Sequence, residues 1–260
     1  MPEVLVKREG AVGHLIFSNL AKFNAMSMDM WEAVPRVINE LDADPAIRVI
    51  VLQGDGEKAF VSGADISQFE TNRSAGDAQA RYNRAVEDAY LAPPRASKPV
   101  VAKIRGICMG GGLGLAAACD YRLCSADSRF RMPAGRLGLG YNTPGVRRFV
   151  EVIGVQNTYD IFFSARIFDA ADALRMGFVA RVIEPAQLDA VTAEWTGKVA
   201  DNAPLTMRAL KLSVNNLLRD ESARDEASVK AALVACFGSD DYKEGARAFM
   251  EKRKPNFQGR

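Results

Sequence analysis

Strand and helix patterns alternate along the first two-thirds of this 260-residue chain, and after that the strand patterns stop. Runs rich in β-branched and other apolar residues predict six strands, at residues 4–8, 14–18, 47–53, 99–105, 120–125 and 178–183. Amphipathic or small apolar patterns between them predict helices at residues 29–41, 77–91 and 112–118. This alternation predicts an α/β fold.

The carboxy-terminal part contains only helical patterns, at residues 188–200, 204–218, 222–237 and 240–252. We therefore divide the chain into a core over residues 1–186 and a helical region over residues 187–260. Ser27 or Asp29 is the predicted N-cap of the first helix, because both side chains accept hydrogen bonds from free backbone amides. Asp65 and Asp120 adjoin turns or helix ends, where a capping role is favoured.

Charge and composition exclude several classes of function. Lys and Arg (34) nearly balance Asp and Glu (32), and a net charge of +2 gives no reason to expect nucleic acid or an anionic membrane as a partner. No apolar run approaches the roughly 20 residues that span a bilayer. The amino terminus lacks the basic start, apolar stretch and cleavage site of a secretory signal, so we expect a cytoplasmic protein.

The four cysteines, Cys108, Cys119, Cys124 and Cys236, show no CxxC spacing. Three of them lie in apolar patterns, so we predict buried free thiols rather than a metal site or a disulfide framework. His14, the one histidine of the sequence, lies on a predicted strand far from the motifs described next. We assign it a structural role.

Two glycine-rich segments give the strongest chemical signal. Residues 60–66 read FVSGADI, and residues 106–115 read GICMGGGLGL. Glycine and alanine let a substrate carbonyl come close to the main chain, and backbone N–H groups are the donors that a developing oxyanion needs. Together the two segments predict a site that stabilises a thioester enolate.

These segments, and three others in the same order, resemble the crotonase superfamily, also called the enoyl-CoA hydratase/isomerase family. The further matches are FNAM at residues 23–26, DAADALRMGFV at residues 169–179 and the ending FMEKRKPNF at residues 249–257. The resemblance implies a spiral of ββα turns with a helical trimerisation region, assembled as a homotrimer or homohexamer. It also implies an acyl-CoA substrate, so coenzyme A is part of the substrate and no separate cofactor is expected.

The resemblance also implies roles for particular residues. The N–H groups of Ala64 and Gly111 would form the oxyanion hole, and the dipole of the helix that starts near Gly111 would favour negative charge there. Two further groups would contact coenzyme A. They are Asp65, Ile66 and Ser67 on the adenine and pantetheine path, and Phe249 and Lys252, which in the family reach the coenzyme, in some members from a neighbouring subunit.

The chain departs from the hydratase pattern at both acid–base positions. The resemblance places one glutamate on the buried helix, three residues after Gly111, and another just after Pro133; here these positions are Gly114 and Ala134. Neither side chain transfers a proton or holds a water molecule. General acid–base catalysis contributes roughly 100- to 10,000-fold, so we do not expect ordinary hydration by two glutamates.

Tyr141 and Asn142 are the candidate replacements. The run LGLGYN at residues 137–142, and SDDYKEG at residues 239–245, resemble the methylmalonyl-CoA decarboxylase branch of the family. Decarboxylation itself generates the enolate, and a tyrosine hydroxyl either orients the carboxylate or protonates the enolate. That branch has histidine at the position of Ala64 and glutamate at that of Gly114, so the resemblance is partial. The alternative is that Tyr141 simply packs in its loop.

Other functions stay open on the sequence alone. One is an enoyl-CoA hydratase or isomerase with non-standard catalytic groups, and another is an acyl-CoA-binding homologue without catalysis. The segment GLGLAA at residues 112–117 fits a loose dinucleotide-binding pattern, but no clear ribose-binding acid follows about 20 residues later after a second strand. Arg131, Arg136, Arg147 and Arg148 either recognise a substrate carboxylate or coenzyme phosphates, or they form structural ion pairs.

Overall fold

A computed structural model describes residues 2–65, 76–141 and 143–260 of the chain. The roles predicted for Ile66, Ser67 and Asn142 fall outside these residues. Within the described ranges, ten strands form two sheets, and nine α-helices pack on these sheets or on one another. The predicted α/β class is confirmed.

The larger sheet has six strands, and each of them overlaps a strand that the sequence predicts. They are β1 (Glu3–Glu9), β2 (Val12–Ser18), β3 (Val49–Gly54), β5 (Val100–Ile104), β7 (Tyr121–Ser125) and β10 (Arg181–Ile183), adjacent in that order. β1 and β2 form an antiparallel hairpin, and every later pair is parallel. Parallel neighbours require crossover connections, which accounts for the alternation of strands and helices in the sequence.

The smaller sheet consists of four three-residue strands. They are β4 (Ala59–Val61), β6 (Ile107–Met109), β8 (Arg129–Arg131) and β9 (Ile167–Asp169), adjacent in that order. The sequence pattern predicts none of them, because three residues are too few to show a period of two. β4 and β6 pair in parallel and lie within or beside the two glycine-rich segments, so this sheet brings those segments together.

Nine helices accompany the sheets in the described residues. They are α1 (Met28–Ala43), α2 (Gly76–Arg95), α3 (Gly111–Ala118), α4 (Thr143–Ser164), α5 (Ala170–Arg175), α6 (Leu188–Ala200), α7 (Pro204–Leu217), α8 (Glu226–Gly238) and α9 (Asp240–Glu251). Ser27 caps α1 as predicted, since its hydroxyl accepts from the Met30 amide at 3.2 Å. The sequence does not predict α4 and α5. Gly154 has a non-helical conformation within α4, which weakens the helical pattern there.

The larger sheet is covered on both faces, so its central strands are continuously apolar. In β3, Ile50 and Leu52 pack in the main core, while Val49 and Val51 pack in a second cluster on the other face. On that second face the indole of Trp195 from α6 stacks on Tyr121 at a centroid distance of 4.2 Å. Cys108, Cys119 and Cys124 are buried free thiols, as the sequence predicts.

A buried lysine of α7 fixes the carboxy-terminal helices to the core. Lys211 Nζ donates to the carbonyl oxygens of Pro93 at 2.7 Å and Lys98 at 2.9 Å, and it pairs with Asp120 at 2.7 Å. Asp120 also accepts from the Val100 amide at 2.7 Å, so its carboxylate links elements instead of capping a helix as predicted. Among the described helices, none has both the length and the apolar character to cross a bilayer.

Candidate active site

A cavity of about 1100 Å³ lies where the two glycine-rich segments meet α2 and the loop that follows β8. Ala64, Gly111, Gly114, Ala134 and Tyr141 all line it. The structure therefore brings together the two predicted oxyanion donors, the two positions that lack a glutamate, and Tyr141. The cavity also extends to α4 and α7.

The first side of the cavity is made of main chain. Gly63 accepts from the Met26 amide at 2.8 Å, and the Asp65 amide donates to Met26 at 2.9 Å. These two hydrogen bonds use the residues on either side of Ala64. The Ala64 amide itself donates to none of the described backbone groups. Gly111 begins α3, and a first-turn amide has no acceptor within its own helix.

A left-handed glycine brings these two amides to the same cavity. Gly110 has a φ of +52° and precedes α3, a conformation that glycine adopts without strain. Its amide donates to the Arg131 carbonyl at 2.9 Å, which fixes the loop on β8. A Cβ atom at Gly110 would lie 3.8 Å from the Gly63 Cα atom, so the two glycine-rich segments are in contact.

Tyr90 of α2 forms another part of the cavity wall, against α3. Its ring lies against Gly114, because a Cβ atom built at Gly114 would be only 2.5 Å from the Tyr90 hydroxyl oxygen. The same hydroxyl donates to the Gly111 carbonyl at 3.2 Å. Trp31 packs edge-on against the Tyr90 ring at a centroid distance of 5.9 Å. Tyr90 thus occupies the volume that any side chain at position 114 would need.

Tyr90 and Tyr141, which we call the phenol pair, both line the cavity. The Tyr141 ring packs edge-on against Phe162 at 5.2 Å. Burial raises the pKa of Tyr141 above its ordinary value, and burial raises the pKa of Tyr90 well above its ordinary value. Both hydroxyls are therefore neutral near pH 7, where they can donate a proton but are poor bases.

The sequence analysis missed Tyr90, although a signal for it exists. Tyr82, Val86 and Tyr90 recur at four-residue spacing on α2, and all three line the cavity. Such a stripe ordinarily indicates a core-facing surface. Its special feature is the glycine opposite Tyr90, which only the packing of α2 on α3 shows.

Comparison with known proteins identifies the family. The sequence profile described as enoyl-CoA hydratase/isomerase matches residues 7–260. The chain belongs to this family. A short-chain-enoyl-CoA hydratase of Clostridium acetobutylicum is 31% identical and is aligned over 96% of this chain and 95% of its own. A peroxisomal Delta(3,5)-Delta(2,4)-dienoyl-CoA isomerase of Arabidopsis thaliana is 30% identical, aligned over 96% of this chain and 93% of its own.

Solved structures agree with this assignment. An enoyl-CoA hydratase/carnithine racemase from Magnetospirillum magneticum superposes with a TM-score of 0.93 at 32% identity, covering 100% of this chain and 97% of that one. An enoyl-CoA hydratase from Bacillus anthracis superposes with a TM-score of 0.90 at 26% identity, covering 99% and 100%. The predicted crotonase fold is confirmed, and the protein is an acyl-CoA enzyme of the enoyl-CoA hydratase/isomerase family.

Three of the four arginines singled out in the sequence are held by protein groups. Arg131 donates to the Ala165 carbonyl at 2.8 Å. Arg147 and Arg148 pair with Glu151 at 3.0 and 3.2 Å, and Arg148 also donates to carbonyls at the carboxy-terminal end of α3. These contacts favour the structural alternative for the three arginines. Arg147, Arg148 and Glu151 nevertheless give the cavity a charged end.

Three of the residues that the sequence analysis assigns to coenzyme A, Asp65, Phe249 and Lys252, lie among the described residues. The Asp65 carboxylate is largely buried and pairs with Lys22 Nζ at 2.8 and 3.0 Å. Phe249 is 85% exposed near the end of α9, and Lys252 follows that helix with a φ of +54°. Neither Phe249 nor Lys252 lines the cavity of its own chain.

Proposed function

We propose that this enzyme decarboxylates a malonyl-type CoA thioester through a thioester enolate. Ala64 and Gly111 would donate their amides to the thioester oxygen, and Tyr141 would act as the acid. The observation that carries the proposal is that the phenol pair lines the same cavity as these amides, while positions 114 and 134 offer no ionisable group.

The chemistry follows from the protonation state of the phenols. The bond between the alpha carbon and the carboxylate carbon breaks, carbon dioxide leaves, and the electron pair moves onto the thioester oxygen. Two preorganised amide donors stabilise this charge. Tyr141 then gives its proton to the alpha carbon and is reprotonated from solvent, so each turnover consumes one proton. No base is required, which agrees with two neutral hydroxyls.

The experiment is a panel of thioesters incubated with the purified enzyme, with products followed by mass spectrometry. The panel contains malonyl-CoA, methylmalonyl-CoA and crotonyl-CoA. We expect loss of carbon dioxide from a malonyl-type ester, and a Tyr141→Phe variant that is slower by at least about 100-fold. Tyr159→Phe, an exposed tyrosine outside the cavity, is the matched control. Hydration of crotonyl-CoA without any decarboxylation would overturn the proposal.

A specific observation favours a second candidate, an enoyl-CoA hydratase or isomerase with a non-standard base. Glu87 is half-buried on α2, one turn before Tyr90, and lines the same cavity. Its carboxylate would remove a proton from the substrate or deliver one to it, whereas the neutral phenols are poor bases. In that case Glu87→Gln would abolish conversion of crotonyl-CoA or of a 3-enoyl-CoA, whereas under the decarboxylase proposal the variant retains carbon dioxide release.

We also propose that the chain acts as a homotrimer or homohexamer. Three apolar side chains of α7, Leu210, Val214 and Leu217, are exposed in the single chain, and large contiguous apolar surfaces are typical of interfaces. In such an assembly Phe249 and Lys252 would reach coenzyme A in a neighbouring subunit, beside Asp65, Ile66 and Ser67. Sedimentation at micromolar concentration tests this, and a monomer that turns over substrate would contradict it.

A further inference from the structure

The carboxy-terminal end of α3 is buried, so its carbonyl oxygens need partners from the protein. The last carbonyls of a helix have no donor within the helix itself. Each residue from Leu115 to Ala118 is at most 3% exposed, which shields these oxygens from solvent. The described residues provide two guanidinium groups as donors, from Arg122 on β7 and from Arg148 on α4.

Arg122 makes the larger set of contacts at this helix end. Its Nη1 atom donates to the Cys119 carbonyl at 2.6 Å and to the carbonyls of Ala116 and Ala117 at 3.4 Å. Its Nε atom donates to the Phe178 carbonyl at 2.6 Å. Hydrogen bonds from a charged donor are about twice as strong as those between neutral groups. Arg122 therefore fixes the end of α3 to the segment that precedes β10.

Arg148 differs from Arg122 in how its charge is balanced. It donates to the carbonyls of Ala117 at 2.8 Å and Cys119 at 3.2 Å, but it also pairs with Glu151 at 3.2 Å. The hydrogen-bond acceptors that the described residues offer to Arg122 are all uncharged carbonyl oxygens. Arg148 lines the cavity, whereas Arg122 is not among the described lining residues. Arg122 thus brings a positive charge to the helix end from outside the cavity.

We infer that Arg122 is a positioning residue of the oxyanion hole, which acts through α3 on the Gly111 amide. The inference rests on the proposed role of Gly111 as an oxyanion donor, and it adds a charged group at the other end of the helix. The charge-assisted hydrogen bonds hold the helix, and with it the first-turn amide, in one place. The positive charge also offsets the negative end of the helix dipole, so the potential at the Gly111 amide becomes more positive.

The length of α3 determines the size of the electrostatic effect. Eight residues span about 12 Å along a helix axis. At that separation, with an effective dielectric constant of about 20, two unit charges interact strongly enough to change a rate about 10-fold. In decarboxylation the substrate carboxylate already carries the negative charge, so part of this attraction is present before the reaction. We therefore expect loss of the Arg122 charge to slow turnover about 3- to 10-fold.

The test observes the thioester carbonyl directly. Propionyl-CoA labelled with ¹³C at the carbonyl carbon is bound to each variant, and isotope-edited infrared spectroscopy measures its C=O stretching frequency. This ester has no carboxylate to lose, and donors that polarise its carbonyl lower the frequency. Arg122→Gln keeps a hydrogen-bond donor but loses the charge, so we expect a smaller lowering than in wild type. Arg122→Lys keeps the charge, so we expect it to retain most of the lowering.

Arg105→Gln is the matched control. The Arg105 side chain is only 14% exposed, it donates to the Pro185 carbonyl at 2.8 Å, and it is not among the described lining residues of the cavity. We expect the wild-type carbonyl frequency in this variant. Thermal melts identify the variants that are folded.

A folded Arg122→Gln variant with the wild-type carbonyl frequency, or with wild-type turnover, overturns the inference. Where Arg122→Gln does not fold, Arg122→Lys decides. A folded Arg122→Lys variant that retains the lowered frequency supports the role of the charge, and one that loses it overturns that role.

Failure of the role of Arg122 is distinguishable from failure of the proposed function. If wild type lowers the carbonyl frequency but releases no carbon dioxide from any malonyl-type ester, the decarboxylase proposal fails, and the infrared measurement alone decides the role of Arg122. If wild type leaves the frequency at its value in solution, the oxyanion hole and the role of Arg122 both fail. If wild type and folded Arg122→Gln lower the frequency equally, only the inference about Arg122 is wrong.

Discussion

The two sides of the cavity are built in different ways. The side formed by Ala64 and Gly111 consists of backbone amides whose positions depend on glycines adjacent in the sequence. The side formed by Tyr90 and Tyr141 consists of side chains from α2 and from the loop after β8, about 50 residues apart in sequence. Fixed main-chain donors suit any reaction that passes through an enolate. Under the proposed function, the proton comes from the side formed by Tyr90 and Tyr141.

This difference also determines which hydrogen-bonding groups of the cavity an amino-acid substitution can remove. A backbone donor is lost only when the main chain itself is altered, since no side-chain substitution removes an N–H group except proline. The phenol pair can be altered one hydroxyl at a time. Variants on each side therefore test the comparison separately.

The largest effect is expected for Gly111→Pro. Proline removes the amide that we propose as one oxyanion donor, so turnover should fall by more than about 100-fold, while proline is tolerated at the first position of a helix. Gly111→Ala is the matched control, because its Cβ meets Trp31 at the same 2.8 Å but its amide remains. Steady-state kinetics with thermal melts measure both variants, and equal turnover of the two would remove Gly111 from the oxyanion hole.

Gly114→Ala should give the next largest effect. The new Cβ would lie 2.5 Å from the Tyr90 hydroxyl oxygen, so we expect a loss of about 1–3 kcal/mol in the free energy of unfolding, together with reduced turnover from the displaced phenol pair. Gly197→Ala on α6 is the control, since no atom lies within 4 Å of its Cβ position. Urea unfolding measures both, and equal stability of the two variants would show that Tyr90 does not fill this space.

A smaller effect is expected from pH, because the phenols titrate and the amides do not. Each phenol has a folded-state pKa raised above its unfolded value of about 10. Their contribution to stability is therefore complete below pH 10 and is lost as pH rises through the folded values. Tyr90→Phe should reduce the decline in unfolding free energy above pH 10 by about 1.4 kcal/mol per pH unit.

Urea melts between pH 8 and 11 measure this decline. Burial raises the pKa values of Cys119 and Cys124 to about 12, so these thiols also contribute to the decline in unfolding free energy, starting at lower pH. Because wild type and Tyr90→Phe both contain them, their contribution cancels when the two proteins are compared. Tyr159→Phe again controls for the loss of a tyrosine. Parallel curves for wild type and Tyr90→Phe would contradict the raised pKa of Tyr90.

The smallest effect is expected at the charged end of the cavity. Asp220 pairs with Arg147 at 3.4 Å, and its side chain is 79% exposed. An exposed pair of this kind contributes about 0–1 kcal/mol, so Asp220→Asn should leave the melting temperature nearly unchanged. A large drop in thermal melts would mean that this end of the cavity is as tightly built as the phenol side.

The sequence predicted the parts of the fold whose signals are local. The six strands of the larger sheet and seven of the nine described helices were identified from periodicity, and the glycine-rich segments pointed to Ala64 and Gly111. The three-residue strands were missed because their pairing partners, rather than their own residues, define them. Tyr90 was missed for a related reason: its relation to Gly114 exists only after α2 packs on α3.

The buried ammonium group of Lys211 has a consequence for how this enzyme can be divided. Two of its partners, the carbonyls of Pro93 and Lys98, lie at and just beyond the end of α2, the helix that also holds Tyr90. Asn215 adds a bond to Pro94 at 2.9 Å. A chain shortened at residue 186 would therefore expose acceptors and the Asp120 carboxylate that are now covered. The boundary that is visible in the sequence is accordingly a poor place to cut, and a shortened or shuffled enzyme would lose the support behind the helix that holds Tyr90.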